Sequence, residues 1–159
     1  MKQEARKFLD KLFYETKCAG IDIEGLKIDH VAFSTASTNE YERLLPKFLN
    51  KGKLIKEALV SDRRVAIIKL KTPIIYKQNV INVIELVEPI SGEPAESKWE
   101  HAEFLVTSYD ELLNKYQNLK WDTKHKNRVN FSRIKLTLQS GIEVKFLDTP
   151  VLVNAGLED

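Results

Sequence analysis

The chain contains very little cysteine and histidine. Its 159 residues include one cysteine, Cys18, and three histidines. A single thiol excludes an intrachain disulfide and a zinc site built from several thiolates. Any site that uses imidazole must therefore draw on His30, His101 and His125.

Long apolar runs and a strong charge bias are lacking as well. No apolar run approaches the ~18 residues that span a bilayer, and residues 1–10 carry charges where a signal peptide needs an apolar core. The 25 basic and 23 acidic residues leave a formal net charge of only +2, which is too even to be typical of a nucleic-acid-binding protein. We therefore expect a cytoplasmic protein that binds neither membranes nor nucleic acid.

What is present is typical of one folded domain. Hydrophobic residues make up 43% of the chain and charged residues 30%, and a chain of this length forms one domain by default. We expect residues 1–159 to form a single domain. Residues 1–25 would be a helical extension, because apolar side chains follow one face of a helix there: Phe8, Leu9, Leu12 and Phe13.

The first half of the chain then alternates between strand and helix patterns. Strands are predicted for residues 27–35, 53–60, 63–70 and 79–88, and a helix for residues 39–49. Ser61-Asp62 would form a hairpin turn, and Pro46 would end or kink the helix. Residues 89–98 contain glycine and prolines, which indicates a linker.

The second half repeats this order. Strands are predicted for residues 99–106, 131–139 and 142–148, and a helix for residues 109–119. The polar, basic segment after Trp121 would form one weak strand or a loop. Asp29-His30 corresponds to Glu100-His101 at an offset of 71 residues (His101 against His30). The repeat predicts an α+β fold in which two βαβββ modules, residues 26–90 and 97–150, form one curved mixed sheet with an open, cup-shaped face.

Strand alternation assigns side chains to this cup. With the larger apolar residues placed under the helices, the following residues face the cup: Ile28, His30, Glu85, Trp99, His101, Glu103, Arg133, Lys135 and Lys145. The same alternation places Asp29 and Glu100 on the opposite face, so we expect no contact between these carboxylates and the neighbouring imidazoles.

His30, Glu85 and His101 would then meet at repeat-related positions. Each alone has an ordinary explanation, since a histidine can be structural and Glu85 could lie at an exposed sheet edge. Together, a buried carboxylate and two imidazoles need a reason, because an unpaired buried charge is costly. This ligand set matches the facial triad that binds Fe(II), and it also suits Zn, Ni or Mn. Glu103 is a candidate general base beside the ion.

Four motifs of the sequence resemble those of a known family. The motifs are Asp29-His30, Arg63 before Lys69-Leu70, Val83-Ile84-Glu85-Leu86 and Trp99-Glu100-His101. As a set they resemble the YecM family, and the doubled plan resembles the vicinal oxygen chelate superfamily, which includes glyoxalase I, extradiol dioxygenases and methylmalonyl-CoA epimerase. The resemblance covers about residues 26–148.

The resemblance implies three metal ligands, His30, Glu85 and His101. The superfamily's fourth ligand, usually an acid on the last strand, corresponds to Lys145 here. A protonated lysine is a poor ligand, so the site would bind metal through three residues, or have lost its metal, unless Glu143 or Glu103 replaces the missing acid.

Three functions follow from these expectations. The first is a divalent-metal enzyme with isomerase, dioxygenase or lyase-like chemistry on a small anionic substrate, which Lys145, Arg133 and Lys135 would attract and Trp99 would contact. The second is a non-catalytic protein that binds a small molecule in the same cup. The third is an interaction module that uses the N-terminal helix as its partner surface. The sequence leaves the oligomeric state open.

Overall fold

The computed structural model describes residues 1–156. Its helices are α1 (Lys2–Cys18), α2 (Thr38–Leu49), α3 (Tyr109–Lys115) and α4 (Val151–Asn154). Its strands are β1 (Ile28–Ser34), β2 (Gly52–Val60), β3 (Arg63–Tyr76), β4 (Asn79–Val87), β5 (Lys98–Leu105), β6 (Ile134–Thr137) and β7 (Glu143–Leu147). Within the described residues, no helix combines the length and the apolarity that crossing a lipid bilayer requires.

The strands form one sheet in the order β2-β3-β4-β1-β5-β7-β6. β1 runs parallel to β4, and β5 runs parallel to β7. The two halves of the chain join where β1 pairs antiparallel with β5, at the centre of the sheet. The predicted α+β class, with a curved sheet and an added N-terminal helix, is confirmed.

Three helices cover one face of the sheet. The apolar stripe of α1 is buried in the same core cluster as Tyr41 of α2 and Tyr109 of α3. Equivalent residues begin α2 and α3: the Ser37 hydroxyl accepts a hydrogen bond from the Glu40 N–H, and the Ser108 hydroxyl accepts one from the Glu111 N–H. The repeat therefore extends to the helix caps.

Two local features differ in how well the sequence predicted them. Ser61 and Asp62 have φ angles of 53° and 60°, the left-handed pair that a tight two-residue hairpin turn requires, as predicted. Pro46 lies inside α2, which continues to Leu49. The predicted alternative that this proline ends the helix is therefore wrong.

Within the described residues, the second module has one strand fewer than the first. Where an outer strand equivalent to β2 would pair with β6, only an isolated bridge joins Asp122 to Lys135. Lys135 corresponds to Ile67 of β3, because they pair with the equivalent residues Lys145 and Glu85. The polar, basic segment before β6 lacks the apolar alternation that would hold a full strand against the core.

The opposite face of the sheet is the cup, and it is partly covered. Small apolar residues of the sheet pack there against α4, through Val151 and Leu152. Helix α4 follows the last predicted module and was not predicted. It closes over the concave face near the residues that form the candidate site.

Candidate metal centre

Two bulges interrupt the pairing of the central strands. Along β1 and β5 the pairing passes from Ile28↔Phe104 to His30↔Glu103, and from Ala32↔His101 to Phe33↔Trp99. The first shift leaves one extra residue in β1, Asp29. The second leaves one extra residue in β5, Glu100. A bulge inserts a residue outside the alternation and redirects the side chains around it.

These bulges overturn part of the predicted side-chain assignment. Ile28 and Trp99 lie in the core cluster under the helices and not in the cup. The Trp99 ring packs edge-to-face on Phe33, with ring centroids 5.4 Å apart. The prediction that Trp99 contacts a ligand in the cup is therefore wrong.

The predicted separation of the acidic residues from their neighbouring histidines is wrong for the same reason. Asp29 Oδ2 lies 2.7 Å from His30 Nδ1, and Glu100 Oε2 lies 3.1 Å from His101 Nδ1. A carboxylate only accepts hydrogen bonds, so each Nδ1 carries a proton and donates it. Each imidazole is thus oriented with its Nε2 directed away from its carboxylate partner.

Four buried side chains converge beyond these imidazoles: His30 of β1, Glu85 of β4, and His101 and Glu103 of β5. One potential ligand atom from each lies within 4.8 Å of every other. The three strands are adjacent in the sheet, so the register of the sheet places the four groups together. The structure therefore shows a cluster that could hold a metal ion.

The spacing of the ligand atoms suits one ion. His30 Nε2 is 3.3 Å from Glu85 Oε1 and 3.6 Å from Glu103 Oε1. His101 Nε2 is 3.8 Å from Glu85 Oε2 and 3.5 Å from Glu103 Oε1. Ligands about 2.0–2.2 Å from a tetrahedral ion are about 3.4 Å from one another. The cluster therefore has the dimensions of a coordination shell.

The hydrogen bonding supports the same interpretation. Within the described chain, the Nε2 atoms of His30 and His101 are buried and have no hydrogen-bond partner. Unpaired buried polar atoms are rare in folded proteins and call for an explanation. Metal-binding histidines commonly donate their other ring N–H to a carboxylate, as both do here. The residues fit a divalent metal ion.

The pKa values of the two histidines depend on their burial and on the charges of the neighbouring side chains. Burial opposes protonation of His30, but Glu85 and Glu103 outweigh this and raise the pKa of His30 well above its usual value. Burial and Lys145 oppose protonation of His101, whose pKa is nevertheless raised by the carboxylates around it, Glu100 first among them.

The carboxylates respond in the opposite direction. Burial alone would raise the pKa of Glu85 and of Glu103, yet the charge of His30 lowers both. For Glu100, the hydrogen bond from His101 overcomes burial and lowers the pKa to about 2. The carboxylates are therefore ionised at neutral pH, as metal ligands and their supporting groups must be.

Glu103 adds a fourth candidate ligand to the cluster, whereas the position at which the family resemblance implies a fourth acid is occupied by Lys145. Lys145 pairs with Glu103 as Glu85 pairs with Ala32, so Lys145 occupies the position equivalent to Glu85. Burial, aided by Arg133, lowers the pKa of Lys145 to about 8. Glu103 was predicted as a general base or as a replacement for the missing acid, and the structure brings its carboxylate among the candidate ligands. Glu143 lies outside the cluster and pairs with Lys135 at 2.5 Å.

A cavity of about 30 Å³ lies directly over the cluster, roughly the volume of one water molecule. Arg133 and Lys145 line it, as predicted for the cup, whereas Lys135 does not and instead pairs with Glu143. Arg63 also lines the cavity. It was noted only as part of a family motif, although its alternation with the cup-facing Val65 could have assigned it to the same face.

The third histidine lies apart from the cluster. His125 is in the loop before β6, where Arg128 Nη2 lies 3.2 Å from its Nε2. Burial and the charges of Arg128 and Arg133 lower its pKa. His125 is therefore a suitable reference residue for experiments on the other two histidines.

The fold and the cluster together define an α+β protein of repeated architecture with a buried two-histidine, two-glutamate centre. Residues 1–152 match the family described as YecM protein, and the chain belongs to that family. This family membership agrees with the resemblance carried by the motifs around His30 and His101.

Two relatives and one solved structure show how far the similarity extends. An uncharacterised protein of Haemophilus influenzae is 27% identical over 82% of this chain and 64% of its own length. Protein YecM of Escherichia coli is 25% identical over 68% of this chain and 57% of its own length. The match thus spans about three fifths of each relative.

The solved structure named Structural Genomics, Protein EC4020 is 20% identical, with a TM-score of 0.74. The alignment covers 96% of this chain and 88% of that one. At this level of identity the likeness concerns the fold alone.

Proposed function

We propose that this protein is a divalent-metal protein of the vicinal oxygen chelate type that acts on a small anionic molecule. The observation that carries the proposal is the convergence of two buried, unpartnered imidazole nitrogens, of His30 and His101, on the carboxylates of Glu85 and Glu103. The ion would be Fe, Zn, Ni or Mn, all of which accept imidazole and carboxylate ligands.

When bound, such an ion polarises substrate oxygens and stabilises a developing oxyanion. The chain's own groups would supply the remaining chemistry. One Glu103 oxygen lies 3.5–3.6 Å from both imidazoles, at a ligand position, and the other is a candidate acceptor for a substrate proton. Lys145 and Arg133, at the cavity wall, would attract an anionic substrate. Isomerase, dioxygenase and lyase-like reactions are all compatible with this arrangement.

Metal analysis tests the proposal directly. The protein is purified without chelators, loaded separately with Fe(II), Zn, Ni or Mn, and measured by mass spectrometry of the metal content. We expect about one ion per chain for wild type, and loss of that ion in His30→Ala and His101→Ala. His125→Ala is the matched control and should retain the ion. If wild type binds none of the four metals, the proposal is wrong.

A second candidate function is a non-catalytic protein that binds a small molecule in the same cup. The arrangement of four protein ligands favours it, because closed four-coordinate sites are typical of structural metal centres, whereas catalytic sites keep an open position. A six-coordinate ion would instead leave room for two substrate oxygens beside the four ligands, and such an ion would favour the catalytic function. X-ray absorption of the loaded protein would count the ligands, and a ligand that stabilises the fold yet is recovered unchanged would support binding without catalysis.

A further inference from the structure

Arg63 and Arg133 are half-buried, and within the described residues one guanidinium nitrogen of each is buried without a hydrogen-bond partner. That nitrogen is the Nε, whose N–H donates to no acceptor in the described residues. Their neighbours behave differently: Arg64 bonds to Glu88 at 2.8 Å, and Lys135 bonds to Glu143 at 2.5 Å. An unsatisfied buried donor is costly, so the two guanidinium groups favour a ligand that accepts hydrogen bonds, such as an anion.

The two arginines flank the metal centre. Arg63 begins β3 and Arg133 directly precedes β6, on either side of the three strands that carry the ligands. Both line the cavity over the cluster, together with the buried Lys145. Arg133 and Lys145 lie on the β7 and β6 side, whereas Arg63 lies on the other side. Positive charge is therefore available at two separate places around one centre.

Arg63 also lines a second cavity, of about 410 Å³. This larger cavity lies beneath the linker that follows β4, and Glu100, which holds His101, forms part of its wall. The cavity over the cluster holds about one water molecule, but the larger one has the size of a site for a small organic molecule. Arg63 therefore stands between the metal centre and the space in which a substrate body would fit.

From this arrangement, which rests on the proposed function, we propose that the substrate carries two anionic groups, one at the metal centre and a second held by Arg63. The class is a small dicarboxylate or a phosphorylated carboxylate. Arg133 and Lys145 would neutralise the group at the metal, and the guanidinium of Arg63 would donate to the second group, for which its planar donor set is suited. The uncharged body of the molecule would lie in the larger cavity, whose wall carries Glu93, Glu96 and Glu100 besides Arg63 and Lys98.

Calorimetry on Mn-loaded protein tests this with three probes. Lactate offers a hydroxyl and one carboxylate, malate adds a second carboxylate, and 3-phosphoglycerate carries a phosphate instead. We expect malate or 3-phosphoglycerate to bind at least about tenfold more tightly than lactate, because the second anionic group adds a charge-assisted hydrogen bond. Which of the two binds more tightly distinguishes a dicarboxylate from a phosphorylated substrate.

Arg63→Gln should remove that advantage and leave lactate affinity and metal content unchanged. Arg64→Gln is the matched control, because the neighbouring arginine is paired with Glu88, and it should retain the advantage. Arg63→Lys, which keeps the charge, should retain part of it even if the glutamine variant folds poorly. Equal affinity of wild type for all three probes would overturn the inference, and so would an Arg63→Gln variant that loses affinity equally for lactate, malate and 3-phosphoglycerate. Binding of the metal would still support the proposed function in either case.

Discussion

Asp29 immediately precedes His30 in β1, yet its Oδ2 lies 2.7 Å from the His30 Nδ1. Adjacent residues of a regular strand point to opposite faces, so this contact exists only because Asp29 is the bulged residue. The same device recurs at Glu100 and His101. The repeat has therefore preserved a bulge as well as a histidine, and the bulge supplies each candidate ligand with its orienting carboxylate.

The first prediction concerns this orienting contact. Asp29→Asn keeps the shape of the side chain but removes the charge that fixes the imidazole tautomer. We expect metal affinity to fall about 10–100-fold, the usual cost of losing such a partner, with the fold intact. Competition against a chelator of known affinity measures the change. Asp62→Asn, in the exposed hairpin turn, should leave affinity unchanged; a similar loss there would contradict the interpretation.

The second prediction tests whether α4 supports the centre. Asp29 Oδ2 also accepts a hydrogen bond from the Val151 N–H, at 3.1 Å. Val151 is the first residue of α4, where proline is tolerated, and Pro150 before it has the extended conformation that a following proline requires. Val151→Pro therefore removes the donor with little backbone strain, and we expect a several-fold loss of metal affinity.

Val151→Ala is the counterpart of that experiment. It retains the backbone N–H but shortens a buried side chain, so it should lower the free energy of unfolding while leaving metal affinity near wild type. If the alanine variant loses metal affinity as much as the proline variant, packing of α4 and not its N–H supports Asp29.

The bulges also mark the limit of prediction from sequence. The repeat and the alternation of β4 and β7 were sufficient to place Glu85 and Lys145 on the cup, because apolar residues on either side fix the register. The same alternation in β1 and β5 assigned Ile28 and Trp99 to the cup, but both lie in the core under the helices. A bulge adds one residue without changing the apolar composition, so period-two reasoning cannot detect it.

The third prediction tests the corrected place of Trp99. Its ring packs on Phe33 under the helices, so Trp99→Ala should lower the free energy of unfolding by about 3–5 kcal/mol, the usual cost of deleting a buried aromatic ring. Metal and anion affinity, measured below the unfolding transition, should stay near wild type. If the Trp99→Ala variant lost only anion affinity and kept its stability, Trp99 would have to contact the anion in the cup.

The fourth prediction concerns protons. The surrounding carboxylates raise the pKa of His30 well above its usual value and raise the pKa of His101 as well, so each imidazole holds its second proton to a higher pH than usual, and a metal ion must displace that proton. Metal binding should therefore release protons, and affinity should increase with pH until both imidazoles are neutral. Calorimetry in buffers of different ionisation enthalpy counts the released protons. Binding without proton release across pH 6–8 would contradict the expected effect of the surrounding carboxylates.

The last prediction moves the fourth acid from Glu103 on β5 to position 145 on β7. Glu103 and Lys145 are register partners on β5 and β7, and Lys145 occupies the position equivalent to Glu85. Glu103→Ala alone should weaken metal binding, because it removes one of the four carboxylate and imidazole ligands. Adding Lys145→Glu supplies an acid from the neighbouring strand, so the double variant should recover at least tenfold of the lost affinity, or about 1.4 kcal/mol. Glu103→Ala with Lys145→Gln controls for removing the lysine charge. Equal recovery in both double variants would show that the lysine repels the ion, and that the place of the fourth acid is not what determines binding.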